Sequence, residues 1–330
     1  MLNWAIAGTS FISTTIADRI AASAGSQCMH VFGRNPARTA VFASRYGCAA
    51  TTDFDMILND PAVDIVYVGL PNDVHYAFCE RALHHGKAVL CEKSLTTRWD
   101  DAQLLFAAAQ RSGRLFMEGF AYFHHPLIAS LQTVLREGRA GKLKYVQASY
   151  SADIVKFANP AGGGSIFNLG CYPVSLLQLV IQTVFGPEVF TRGEITGAGF
   201  NADGGPITEA SLTIRYEQGL LASIHSSDTF GLRSDLSIHG EIGTIVFKTN
   251  PWLPEAGINR MELQHHDGRV EVIDVESELD GFGHQIRNAE DSFKANRAVP
   301  LSPARSIHDS LEIMQVLTSW HQACERGSKP

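Results

Sequence analysis

The order in which its periodicities come constrains this chain most. Through the first third, short apolar runs of strand length alternate with segments of helical period. Leu2 to Ala7 reads as a buried strand and Gly8-Thr9-Ser10-Phe11 as a turn. Ile12 to Ala24 reads as a helix, with Ile12, Ile16 and Ile20 at i, i+4 and i+8 and Gly25 as its stop. A strand from Cys28 to Phe32 follows, then a helix from Pro36 to Tyr46 opened by Asn35-Pro36, where proline suits the first turn. Asp64 to Leu70 and Ala88 to Cys91 read as strands, Val74 to His85 and Trp99 to Ser112 as helices. Alternation of this kind predicts a parallel sheet covered on both faces.

Near residue 120 the pattern changes. Tyr145 to Tyr150, Ser211 to Tyr216, Leu220 to Ser226, Ser234 to Ile238, Thr244 to Phe247 and Arg269 to Val275 read as strands with no helices between most of them. That predicts a mostly antiparallel sheet, with helices around 173–185, 282–296 and 304–325. The expected architecture is an α/β Rossmann-type dinucleotide domain over 1–120 and an α+β domain with a large open sheet over 121–330. The C-terminal helix is allowed to pack back on the first domain.

Composition narrows the function classes. With 330 residues, 45% of them hydrophobic, the chain can bury a sizeable core, which excludes disorder. Its 27 Lys+Arg against 34 Asp+Glu leave a net charge of -7, with no basic excess for nucleic acid. None of the 6 cysteines forms a C-x-x-C pair, and none of the 13 histidines has zincin spacing, so no metal site is expected. A reducing cytoplasm is the simplest home. The chain opens on a strand, without the charged leader and apolar run of a signal peptide. Tyr172 to Phe185 is apolar but carries Pro173, Gln178 and Gln182, and reads as too short and too polar to cross a membrane.

Strand, Gly8-Thr9-Ser10-Phe11-Ile12-Ser13, helix is the layout of a dinucleotide turn. Of the G-x-G-x-x-G fingerprint only the first glycine is present, with Ser10 and Ser13 at the other two places. Small serines still permit close backbone approach, and amides at a helix N-terminus hold phosphate; a plain strand–turn–helix of any α/β protein looks the same. The second predicted strand ends in Gly33-Arg34-Asn35, with Arg38 one turn on. An NAD site usually has a carboxylate there, whereas a guanidinium binds a 2′-phosphate in a fork. The expectation is NADP in preference to NAD; otherwise Arg34 and Arg38 are solvated surface charges.

Further stretches carry a resemblance. Pro71-Asn72-Asp73-Val74-His75, Cys91-Glu92-Lys93-Ser94-Leu95, Met117-Glu118-Gly119-Phe120, His125-Pro126, and Gly162-Gly163-Gly164-Ser165 through Gly170-Cys171-Tyr172-Pro173 come in that order. The ordered set resembles the Gfo/Idh/MocA oxidoreductases over nearly the whole chain. Tyr172 is similar to the subgroup of glucose–fructose oxidoreductase, dimeric dihydrodiol dehydrogenases and NADP-dependent xylose dehydrogenases. The resemblance matches Lys93 to the lysine of the family's E-K-P motif. It places Leu70, Pro71, Asn72, His75, Glu92 and Glu118 beside the cofactor, with Gly8, Thr9, Ser10, Phe11 and Ile12 at its phosphates. It departs from the family at Ser94, in the place of that motif's proline. Asn168 stands where tyrosine-bearing relatives usually have aspartate, and Phe123 where they often have arginine.

What the resemblance implies is hydride transfer between a nicotinamide and a sugar or small cyclic alcohol or ketone, in a homodimer or higher homo-oligomer. Tyr172 would exchange the hydroxyl proton. A nearby Lys93 ammonium would favour the phenolate, since a free phenol titrates near about 10. Glu92 and Glu118 would orient Lys93, and Asn168 would bond a substrate hydroxyl. Read alone, Tyr172 is a packing residue and Lys93 a solvated one. Two rival functions remain on this reading: a redox-silent nucleotide sensor, favoured by Asn168 and Ser94, and a hydrolase using tightly held NAD, disfavoured by Arg34.

Overall fold

In a computed structural model of the protein, which describes residues 1–201 and 205–327, the two periodicities become two sheets. The first half runs β1 (Leu2–Ala7), α1 (Phe11–Ala22), β2 (Ser26–Phe32), α2 (Pro36–Tyr46), β3 (Ala49–Thr51), α3 (Phe54–Leu58), β4 (Ile65–Val68), α4 (His75–His84), β5 (Ala88–Cys91), α5 (Trp99–Ser112) and β6 (Phe116–Glu118). These strands pair in parallel in the order β3-β2-β1-β4-β5-β6. The order reverses between β1 and β4, and open α/β sheets bind ligands at the carboxyl ends of such a pair. Every residue of β4 and β5 is buried, as a sheet covered on both faces requires.

The second half runs α6 (Pro126–Arg136), β7 (Leu143–Ala152), α7 (Cys171–Phe185), β8 (Glu194–Asn201), β9 (Ile207–Tyr216), β10 (Leu220–Ser227), β11 (Leu232–Gly240), β12 (Gly243–Phe247), β13 (Gly257–His265), β14 (Val270–Ser277), α8 (Gly281–Lys294) and α9 (Ile307–Gly327). The sheet order is β14-β13-β12-β11-β7-β10-β9-β8; β7 and β10 are parallel and the other pairs antiparallel. Strict alternation shows in β9, where Ala210, Leu212, Ile214 and Tyr216 are buried while Ser211, Thr213 and Arg215 are exposed. The buried face carries α7, and Trp320 of α9 donates its indole N–H to the Ser211 carbonyl at 2.9 Å.

By compactness the chain divides into Met1–His124 with Gly281–Leu311, and His125–Asp280 with the chain from Glu312 onward. The stretch Gly281–Leu311 therefore belongs with the first sheet, although it follows the second in sequence. Ile286 and Ala289 of α8 join the core of Trp4, Ile6, Ile16 and Ile20, with Phe282 and Phe293 packed against it. A buried polar chain fastens it: Trp4 Nε1 donates to Ser26 Oγ at 2.9 Å, and Ser26 Oγ donates to Glu290 Oε1 at 2.6 Å.

The apolar helix differs from its sequence reading. It begins at Ile166, with a π-helical turn Ile166–Gly170 leading into α7, so it is long and apolar enough to cross a membrane; 78% of its most apolar window, however, is buried inside the protein. Its apolarity serves the core of the second unit.

Glu290→Ala leaves the Ser23 and Ser26 hydroxyls without their shared acceptor. We expect a stability loss of about 1–3 kcal/mol in urea unfolding. An unchanged midpoint would show that α8 is held by apolar packing alone.

Candidate active site

Gly8 sits at φ +121°, and a Cβ there would stand 2.6 Å from the Gly69 carbonyl oxygen. Only glycine lets the turn after β1 come this close to the end of β4. Ser10 then caps α1, its hydroxyl accepting from the Ser13 amide at 3.3 Å and lying 3.0 Å from the Ser13 hydroxyl. The amides of Phe11 and Ile12, in the first turn, have no intrahelical partner, and a helix N-terminus so built accepts an anion. The Phe11 ring beside them is 86% exposed.

Arg34 lies exposed two residues beyond the end of β2. Arg38 Nη2 donates to the Thr9 carbonyl at 3.0 Å and so ties α2 to the phosphate turn. Thr9, Thr14, Arg38 and Arg45 are among the residues lining a cleft of about 380 Å³.

At the ends of β4, β5 and β6 the polar groups are buried. His75 joins two loops: its Nε2 is 2.8 Å from the Leu70 carbonyl and its Nδ1 3.0 Å from the Ser94 carbonyl. Burial holds the His75 ring below the usual histidine range. Pro71 leads into the short 3-10 turn Asn72–Val74, and Asn72 Nδ2 is buried with no hydrogen-bond partner. The Lys93–Ser94 peptide is cis. Glu92 Oε1 accepts from the Tyr67 hydroxyl at 3.0 Å, and Oε2 accepts from the Lys93 amide at 3.2 Å. Burial raises the Glu92 carboxyl, and the Lys93 charge opposes that rise. Glu118 is pushed up to about 8 by burial, eased by the Ser310 hydroxyl, the Leu95 amide and Lys93; its Oε2 has no partner. Lys93, half-buried, is thus a cation beside two desolvated acids.

In the second unit Tyr172 sits in the first turn of α7, half-buried, with its ring 5.2 Å from Tyr150 in an edge-on contact. Asn168 lies in the π turn, and its amide stands beside the carboxyl of Asp228. The glycine run before it is required by geometry: Gly164 has φ +74°, and a Cβ there would collide with the Ile207 carbonyl. One residue here had no signal in the sequence: Asp228 follows β10 in what reads as a Ser-Asp-Thr turn. In the first unit Arg305, equally without a signal, places its guanidinium 4.6 Å from the centre of the Phe123 ring.

The orphaned Asn72 amide, the unpartnered Glu118 oxygen and the open first turn of α1 fit a dinucleotide lying across the carboxyl ends of β1 and β4. Fold and turn together define a dinucleotide-binding protein. Residues 2–120 match the oxidoreductase family with NAD-binding Rossmann fold, and residues 128–246 match the Gfo/Idh/MocA C-terminal domain. The chain belongs to the Gfo/Idh/MocA family and is an NAD(P)-dependent oxidoreductase. It is similar to a dTDP-3,4-didehydro-2,6-dideoxy-alpha-D-glucose 3-reductase of Streptomyces antibioticus, 26% identical over 78% of each chain. It is also similar to a D-xylose 1-dehydrogenase (NADP(+)) of Haloferax volcanii, 25% identical over 90% of each. A 3-ketoreductase from Actinomadura kijaniata, solved with NADP and TDP-benzene, shares the fold with a TM-score of 0.86 at 22% identity, over 98% of this chain and 97% of that one.

Glu118 binds its proton more tightly folded than unfolded, since its value rises from 4.5 to about 8. Its contribution to stability is therefore full below pH 4.5 and is lost as pH rises towards 8. Glu118→Gln should flatten that decline in denaturant titrations at pH 5 and pH 8. Parallel pH profiles for the variant and the wild type would refute the assignment.

Proposed function

We propose that the protein is an NADP-dependent oxidoreductase that moves a hydride between the nicotinamide and a sugar or small cyclic alcohol or ketone. The carrying observation is the Lys93 ammonium beside the buried Glu92 and Glu118 carboxyls, on the loop after a strand of the parallel sheet. The bound nicotinamide supplies or accepts the hydride. Everything else falls to side chains. Tyr172 gives or takes the hydroxyl proton at its Oη, and Lys93 favours the phenolate. Asn168, with both a donor and an acceptor, bonds a substrate hydroxyl. Gly8, Thr9, Ser10, Phe11 and Ile12 meet the phosphates; Leu70, Pro71, Asn72, His75, Glu92 and Glu118 border the nicotinamide side. Arg34 and Arg38 take the 2′-phosphate. The NADP named for the Haloferax volcanii relative, and the sugars named for both curated relatives, support this reading.

We also propose a homodimer formed through the outer face of the large sheet. Leu221, Ile258, Val270 and Val272 leave apolar side chains in water there. The six free cysteines suit a reducing cytoplasm.

Nicotinamide fluorescence gives the first test. Arg34→Ala should weaken NADPH about 10-fold or more and leave NADH unchanged; equal weakening of both would remove the 2′-phosphate role. Tyr172→Phe should lower kcat/KM by about 100-fold or more at unchanged NADPH affinity. Full activity in that variant would end its part in proton transfer.

A further inference from the structure

Asp228 is a buried acid that the proposed chemistry does not use. It follows β10, whose pairing with β7 is the one parallel step of the large sheet and sets Ser226 beside Tyr150 and Ser227 beside Ser151. Ala222, Ile224 and Ser226 alternate onto the covered face, and Asp228 continues that parity. Ser226 Oγ donates to the Ser165 carbonyl at 2.8 Å, fixing the start of the π turn that carries Asn168. The backbone at Asp228 is held on both sides: its amide donates to the Thr208 carbonyl at 3.1 Å, and its carbonyl accepts from the Ile154 and Val155 amides at 3.0 and 2.9 Å. The residue is 1% exposed, yet its Oδ1 has no hydrogen-bond partner.

Among the described residues nothing bonds that oxygen. An acceptor buried without a donor costs free energy, and native proteins rarely leave one unless something else fills it. Burial and the charge of Glu209 push the Asp228 carboxyl up to about 6, while Asn168 and its own backbone amide favour the charged form. Glu209 is itself bonded by the Ser227 and Thr229 hydroxyls. Asn168 precedes Tyr172 by about one helical turn, and Tyr172 meets Tyr150 edge-on. The Asp228 carboxyl thus stands beside the π turn that leads into Tyr172, where the parallel strands end.

We propose that Asp228, acting with Asn168, is a specificity-determining residue that accepts a hydrogen bond from a hydroxyl of a polyhydroxylated ring, next to the carbon whose oxygen exchanges its proton with Tyr172. This rests on the oxidoreductase reading. A carboxylate only accepts, so the position selects a donor and rejects a carboxylate or phosphate there.

The test uses full-length protein with NADPH bound and aspartate labelled with 13C at the carboxyl; the Asp228 resonance is assigned by its loss in Asp228→Asn. D-glucose and D-xylose serve as polyol probes and tetrahydropyran as the ring without hydroxyls. Either sugar should lower the titration midpoint of Asp228 by about one unit, and tetrahydropyran should leave it in place. In the oxidation assay, with NADP+ in place of NADPH as the hydride acceptor, Asp228→Asn should lose about 10- to 100-fold in kcat/KM, chiefly through KM, at unchanged NADP+ affinity. Asn168→Ala, which keeps the carboxyl, should lose less. Oxidation of a sugar with an unmoved Asp228 resonance and an unimpaired Asp228→Asn overturns the inference and leaves the oxidoreductase reading standing. A moved resonance without oxidation upholds the hydroxyl site and overturns that reading. Neither signal overturns both.

Discussion

Glu92 and Glu118 have lost their water, and the carboxyl edge of the parallel sheet is organised around that loss. A buried carboxyl must find donors or a cation, or keep its proton. Glu92 finds the Tyr67 hydroxyl and the Lys93 amide; Glu118 finds less and is pushed up to about 8. Both feel the Lys93 ammonium. A lysine just after a strand would otherwise sample many rotamers in water. Here its charge acts on two buried acids, and the His75 ring bridges the Leu70 and Ser94 carbonyls of the neighbouring loops. Desolvation thus perturbs both acids and makes the neighbouring ammonium count for them.

The same logic explains what the sequence shows and hides. Strands buried on both faces are continuous apolar runs, so β1, β4 and β5 are legible from composition alone. β8 is not, because Gly197 and Gly199 interrupt it. They are needed where Trp320 and Cys324 of α9 come close, a contact invisible until the chain is folded. The amphipathic character of α8 is readable but its destination is not. Its acid meets Ser23 and Ser26 across more than 260 residues of chain, and no local periodicity encodes that. The start of the apolar helix is obscured by the Gly162-Gly163-Gly164 run and the π turn, so its first residues look like loop.

Motif order singles out Lys93, Glu92, Glu118 and Tyr172 as candidates, because those residues sit at strand and helix ends that the pattern already marks. The Asp228 carboxyl carries no such mark. What distinguishes it is an oxygen with no partner, which is a property of the surroundings and not of the residue type.

Two departures from the resembling family show why a charge should be assigned in space. Phe123 stands where arginine is common, yet the Arg305 guanidinium lies over its ring, a placement that the ring's negative face favours. Asn168 stands where aspartate is common, yet Asp228 brings a carboxyl to its side. In each case the charge that the chain lacks at one position is delivered by a residue far away in sequence. A silent sensor inferred from Asn168 would require this part of the protein to be without an acid. The buried carboxyl beside it removes that requirement, and the reading with active chemistry is the one the local electrostatics favours.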